Sequence, residues 1–290
     1  MLTLKQYIVH CDQKHSAIGH FNISNLESLK AVFTAASKRQ VPFIVGVSEE
    51  EIRFIGIKQC VALVRSYREE YNYPIFLNAD HVYSFQNAKD VIDAGFDSVI
   101  FDGVRLPLGD NIRETKKCVD YARSVNPNIV VEAELGYIGM PSRFLEAIPD
   151  DVHTDKKSFT NPDEAAHFVK ETGIDCLAPS VGNIHGMLKF GKKPELDIDL
   201  IKEIREKVGI PLVLHGGSGI SDFIFERAIF AGISVIHINT ELRIAFRKTL
   251  FESLKNDPNE LSSSVYMENA LFEIEKIVDE KLKAFDTHKE

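Results

Sequence analysis

Three histidines sit in short polar contexts that each close an apolar run: NADH at 78–81, GNIHG at 182–186 and LHGGSG at 214–219. Neutral imidazole is a good zinc ligand, and three protein ligands with a fourth position open make a catalytic zinc site. One histidine alone has many structural uses. Three in equivalent places mark His81, His185 and His215 as a candidate metal-binding set. Asp80 directly precedes His81, so one side chain can bind metal while its neighbour exchanges a proton with a substrate; the competing reading is a turn or capping aspartate. VEAELG places Glu132 and Glu134 on one face of a strand, and with Asp102 in FDG they can ligate a second or alternative cation. Buried together without metal or protons these carboxylates would repel strongly, and salt bridges are their other use. GGSG at 216–219 offers close backbone approach and free N–H donors to a phosphate, and the HINT run at 237–240 can bring Asn239 and Thr240 to the same anion.

These residues need a scaffold that brings distant segments to one place. Short β-branched runs alternate with longer amphipathic stretches about eight times, with strands expected near 17–22, 43–47, 75–79, 97–101, 129–133, 175–179, 211–214 and 234–238. That pattern implies an α/β chain folded as one (β/α)8 TIM barrel. Asn22, Ser48, Asp80, His81, Asp102, Glu132, Glu134, Ser180, His185, His215 and Asn239 then all fall where a strand has just ended, on the rim where barrel active sites lie. The stretch after Asn25, which reads as an N-cap, carries Leu26, Leu29, Val32, Phe33 and Ala36 at helical spacing. The segment from Tyr137 to Thr160, with Pro141 and Pro149, lacks periodicity and reads as a long loop or lid, and a helix is expected from near Ile220. From about 258 to 290 a helical extension follows, with Met267, Leu271, Ile274, Val278 and Leu282 as a packing stripe against the barrel or another subunit.

With 290 residues and 44% hydrophobic content, one barrel domain over 1–290 accounts for the whole chain. A net charge of −9 argues against a nucleic-acid surface while allowing a local basic pocket for a phosphorylated metabolite. No signal-like segment and no run of about 18 apolar residues is present, so a cytoplasmic enzyme without membrane attachment is expected. Cys11, Cys60, Cys118 and Cys176 are scattered and read as reduced structural residues.

Taken in order, FNISNLES, ADH, VEAELG, TGIDCLAPSVGNIHG, PLVLHGGSG and INTELRIAF give a sequence that resembles the class II fructose-bisphosphate and tagatose-bisphosphate aldolases from near residue 21 through 246. The resemblance implies reversible aldol cleavage of a ketose 1,6-bisphosphate to dihydroxyacetone phosphate and glyceraldehyde 3-phosphate through a metal-stabilised enediolate. It implies His81, His185 and His215 as ligands of catalytic Zn2+, Asp80 as the acid/base, and Asp102 and Glu134 as candidates for an alternative or second metal position, with a second divalent or a monovalent cation as a further cofactor. Gly186, Gly216, Gly217, Ser218 and the run His237, Ile238, Asn239, Thr240 would hold dihydroxyacetone phosphate, with Asn22 and Ser48 also on the substrate-binding rim. A homodimer or homotetramer is the implied assembly.

Three departures bear on the substrate. His237 stands where the family's strand-eight run usually begins with Asn. MPSRF at 140–144 replaces glycine and acidic residues, leaving Glu146 as a substitute for the mobile-loop acid. SSSVY at 262–266 lacks the arginine that relatives use for the distal phosphate, and Arg53, Arg105 and Arg143 are replacements to test. Two alternatives follow: another phosphorylated ketose or acceptor aldehyde, or a non-catalytic barrel that binds a sugar phosphate or a partner.

Overall fold

The inward-facing positions change from apolar to polar along most of the strands, and this gradient organises the molecule. In the computed structural model, which describes residues 2–139, 143–190 and 193–287, eight parallel strands close into a barrel. They are β1 (Ile18–Asn22), β2 (Phe43–Ser48), β3 (Ile75–Val82), β4 (Ser98–Phe101), β5 (Val130–Leu135), β6 (Cys176–Pro179), β7 (Leu212–Leu214) and β8 (Ile233–Ile238). Neighbours in sequence are neighbours in the barrel, and β8 closes on β1 with Ile18 opposite Val235.

Ile18, Ile44, Phe76, Val130, Cys176, Val213 and Val235 pack together as one layer inside the barrel. Leu4, Ile8 and Cys11 of the helix Leu4–Lys14 join that layer and close its lower end. Two residues further along each strand, on the same face by the period of two, stand His20, Gly46, Asn78, Glu132, Ala178, His215 and His237. Gly46 is required here: a Cβ would lie 2.1 Å from the His20 ring. The opposite faces of the strands, including Phe21, Val45, Leu77, Val99, Val131, Leu177 and Ile236, meet the surrounding helices in a second apolar layer.

The helix Leu26–Arg39 begins as its sequence indicates, with Asn25 Oδ1 accepting from Ser28 N–H at 2.8 Å. The C-terminal helix Glu268–Phe285 buries Ala270, Ile274, Val278, Leu282 and Phe285, and packs on the helices Leu26–Arg39 and Thr240–Asn256. Arg39 clamps it through two bonds to Asp279 of 2.6 and 2.7 Å. Its stripe therefore serves to cover the barrel. All four cysteines are buried, and burial pushes the Cys60 thiol up to about 11 and the Cys118 thiol to about 12, so they act as packing groups.

Three local expectations are corrected. β3 runs on to Val82, because its pairing with β4 shifts register between Ala79 and Val82 and carries the strand past Asp80. The 137–160 segment is not all loop: Phe144–Leu145 pairs with Met187–Leu188, a two-residue ladder too short to show periodicity, and Leu145 and Val152 pack with Ile184 beneath it. Pro141 lies outside the described residues. The helix expected near Ile220 starts at Asp222, because the Ile220 N–H closes a turn on Gly217 O at 3.1 Å.

Ile274 is 1% exposed in the seam between barrel and C-terminal helix. Ile274→Ala is expected to cost about 2–5 kcal/mol, read as a lower urea midpoint with unchanged slope. A midpoint that does not move would show that this helix does not contribute to the cooperative core.

Candidate active site

The polar ends of the strands converge on a cavity of about 450 Å3 at the barrel mouth. His81, His185 and His215 meet there, their available ligand atoms all within 4.8 Å of one another. His81 comes from the irregular end of β3, where its φ of 54° is left-handed; a regular strand would send adjacent Asp80 and His81 to opposite faces. Such a residue is held against about 1–3 kcal/mol of backbone cost. His185 is supplied by the loop after β6, and His215 directly follows β7.

Each ring has its second nitrogen engaged. His81 Nδ1 bonds Asp102 Oδ2 at 2.9 Å, His185 Nδ1 donates to Gly139 O at 2.8 Å, and His215 Nε2 bonds Glu132 Oε1 at 2.7 Å. This leaves Nε2 of His81, Nε2 of His185 and Nδ1 of His215 for a ligand. Carboxylate and carbonyl partners that fix ring orientation are what metal-binding histidines require. Glu134 Oε1 and His215 Nδ1 approach to 2.8 Å, yet both are buried atoms without a hydrogen-bond partner among the described residues. Donors of this type turned toward one point fit a divalent cation. His81, Asp102 and Glu134 form a second group of possible ligands around the same ring.

Electrostatics agree with the donor set. Burial opposes charge on His81, but Glu134 and Asp80 outweigh it and lift its pKa to about 9. Burial likewise opposes charge on His215, and Glu134 with Glu132 raises it well above the ordinary value. His185, buried and repelled by His81 and His215, is pushed down to about 3. Protons and a metal compete for the same nitrogens, so metal affinity weakens as pH falls.

Asp80 lies 4% exposed beside this group. Asn22 Nδ2 donates to its Oδ2 at 2.8 Å, while Oδ1 has no hydrogen-bond partner among the described residues. Burial alone would raise the Asp80 pKa, but His81, His237 and His20 hold it well below the ordinary value, so the group is a carboxylate at neutral pH. His237 stacks between His20 and His215, with ring centroids 3.5 and 4.0 Å apart, and its Nδ1 is 3.7 Å from Asp80 Oδ1.

The other end of the cavity suits an anion. Gly186, Gly216 and Ser218 line it with Asn239 and Thr240. Gly216 has φ 66°, and a Cβ there would lie 2.3 Å from Ile184 O, so only glycine lets the two loops approach. Ser218 Oγ accepts from the N–H groups of Asn239 and Glu241 at 3.3 and 3.2 Å, joining the turn to the start of the helix Thr240–Asn256, whose dipole favours an anion.

The chain matches the family model for class II fructose-bisphosphate aldolase over residues 2–290. The chain belongs to the class II fructose-bisphosphate aldolase family. It is 40% identical over 262 residues to a fructose-bisphosphate aldolase of Geobacillus stearothermophilus, covering 89% of this chain and 88% of that protein. It is 36% identical over 290 residues to one of Staphylococcus aureus strain Mu50, covering 99% and 98%. Among solved structures it resembles the YdjI aldolase of Escherichia coli K12, with a TM-score of 0.82, 30% identity, and coverage of 99% of this chain and 98% of that one. As an aldolase of this family the protein is a carbon–carbon lyase, and the family is generally zinc-dependent.

Most residues singled out from the sequence gather at the mouth. Asn22, Ser48, Asp80, His81, His185, Gly186, His215, Gly216, Ser218, His237, Asn239 and Thr240 all line the cavity. Asp102 and Glu134 stand behind His81, 2.9 and 3.3 Å from its Nδ1. Ser48 also caps the helix Glu49–Ile55. Gly217 and Ile238 are not among the residues lining the cavity. Ile238 is fully buried in the layer between barrel and helices, because its side chain faces away from the mouth, and Gly217 spends its N–H on His237 O at 3.1 Å. Arg53 and Arg143 reach the cavity, whereas Arg105 lies against Tyr137 and the exposed Glu146 pairs with Lys189 away from it. Arg243 was not foreseen; it lines the cavity and is paired with Glu51, three residues into the helix after Thr240. His20 was missed too, although its spacing of two from Asn22 on β1 marks it as inward.

Glu132→Gln and Asp102→Asn are each expected to weaken zinc affinity about 10–100-fold, measured by competition with a chromophoric chelator. Unchanged affinity in both variants would contradict the orienting role given to these carboxylates.

Proposed function

We propose that this aldolase cleaves fructose 1,6-bisphosphate or its tagatose epimer reversibly to dihydroxyacetone phosphate and glyceraldehyde 3-phosphate, with zinc held by His81, His185 and His215 and with Asp80 as the proton-transfer group. The observation that carries this reading is the placement of Asp80: buried, oriented by Asn22, and with an Oδ1 that has no hydrogen-bond partner among the described residues, at the edge of the three-histidine set. When bound, zinc supplies Lewis-acid stabilisation of negative charge on the substrate's oxygens. The protein's own residues do the rest. Gly186, Gly216, Ser218, Asn239 and Thr240 seat the phosphate of the dihydroxyacetone half, which fixes the sugar's carbonyl end toward the histidines. Asp80 Oδ1 takes the proton from the hydroxyl on the departing aldehyde as the carbon–carbon bond breaks, and returns it in condensation. Asn22 holds the carboxylate in register, and the stacked His237 fills the side of the site next to it.

The reading extends over one domain, 1–290, with the helical extension from about 258, acting in the cytoplasm as a homodimer or homotetramer. No helix among the described residues is long and apolar enough to cross a membrane. A second reading, another phosphorylated ketose or aldehyde, draws on the absence of arginine at 262–266 and on Arg53, Arg143 and Arg243 at the mouth as an alternative cationic set.

Asp80→Asn is expected to lower kcat about 10²–10⁴-fold with zinc content unchanged, measured by a coupled assay on both bisphosphates. A variant that keeps kcat within a few fold would remove Asp80 from the chemistry.

A further inference from the structure

Beneath the phosphate loop lies a lysine with no role in the reaction described above. Lys193 Nζ donates to Ile184 O at 3.1 Å and to Gly216 O at 2.8 Å. Those carbonyls belong to the residue before His185 and the residue after His215, so one ammonium group ties together the two loops that carry these histidines. The Gly216 peptide leads directly to the Gly217 N–H, which bonds His237 O. The lysine is therefore connected through backbone hydrogen bonds to both loops and to the end of β8.

Burial works against this charge, lowering the Lys193 pKa to about 8, with Glu241 acting in its favour and Lys281 against it. Lys193 itself has no ion-pair partner within 4.0 Å among the described residues, while Glu241 pairs with Lys281 at 3.4 Å. An ammonium has three N–H donors; two are used on carbonyls, and among the described residues no third acceptor is bonded to it. Two carbonyl oxygens converging beside an anion site form a donor set that suits a small monovalent cation. Here a covalently attached cation takes it.

Resting on the functional reading above for the place of the phosphate, we infer that Lys193 is a built-in cation of the phosphate subsite. It is a positioning residue that holds the 184–186 and 215–218 loops at phosphate-binding spacing, and its charge is balanced when a phosphate monoester docks at Gly186, Gly216 and Ser218. Because the cation is part of the chain, phosphate binding needs no free sodium or potassium.

The test reads binding without turnover. Inorganic phosphate and dihydroxyacetone phosphate are titrated calorimetrically into zinc-loaded wild type, Lys193→Met and Lys193→Arg, with metal content and thermal unfolding recorded for each. Lys193→Met is expected to weaken both ligands about 10–100-fold, the loss of one charged hydrogen-bonding group, with zinc content unchanged, and to raise KM more than it lowers kcat. Lys193→Arg is expected to keep most of the affinity. Wild type should bind phosphate equally in sodium, potassium or choline buffer at constant ionic strength, and potassium should restore part of the affinity of Lys193→Met. Equal losses in the Met and Arg variants with intact folds, unchanged affinity in Lys193→Met, or a wild type that requires a monovalent ion would each overturn the inference. The buffer comparison on wild type stands even if Lys193→Met does not fold. Phosphate binding through Lys193 in a protein that cleaves neither bisphosphate would leave this inference intact while refuting the proposed reaction.

Discussion

A partner that holds one nitrogen of an imidazole fixes which nitrogen faces a cation and in what direction, and the active site depends on that constraint. Asp102, Gly139 O and Glu132 each fix one ring of the three-histidine set. The carboxylates among them, with Asp80 and Glu134, are buried where the barrel would otherwise be apolar. Four buried carboxylates are tolerable only beside compensating positive charge. Protonated His81 and His215 can provide it, and so can a divalent metal. The same negative ring that orients the ligands thus makes the site receptive to a cation.

In the proposed reading, the barrel separates a metal end from a phosphate end. Asp80 and the histidines gather over β3, β6 and β7, while Gly216, Ser218, Asn239 and Thr240 occupy the loops after β7 and β8. His215 and Gly216 are adjacent, so one strand end serves both. In that reading, strand register places Asp80, and the loops after β6, β7 and β8 place the proposed phosphate contacts. His237 adds a ring between His20 and His215 on the floor of the site. Its stack between two buried rings leaves little room for a change of side chain there.

Much of this was legible in the sequence because barrel strands repeat with a period of two and their ends are polar. Phe76, Asn78 and Asp80 run from core to mouth along β3, and Val213 to His215 repeats the step on β7. The His motifs, the helix cap at Asn25 and the C-terminal stripe could therefore be read directly. What could not be read depended on through-space closure. The left-handed turn at His81 and the register shift beside it leave no compositional trace. Ile238 belongs to a polar run yet faces outward by alternation, a consequence that strand period alone could have supplied. Lys193 lies in a loop without periodicity, and only the approach of Ile184 and Gly216 gives it a role.

The central claim is that three imidazoles, one from the end of β3 and two from the loops after β6 and β7, hold one metal. X-ray absorption at the zinc edge of the zinc-loaded protein tests it most directly. The expected spectrum has three imidazole nitrogens at about 2.0–2.1 Å with one further light atom, and loses one imidazole contribution in His185→Ala. A shell dominated by carboxylate oxygen, or a spectrum unchanged by His185→Ala, would contradict the account and move the metal to the group behind His81.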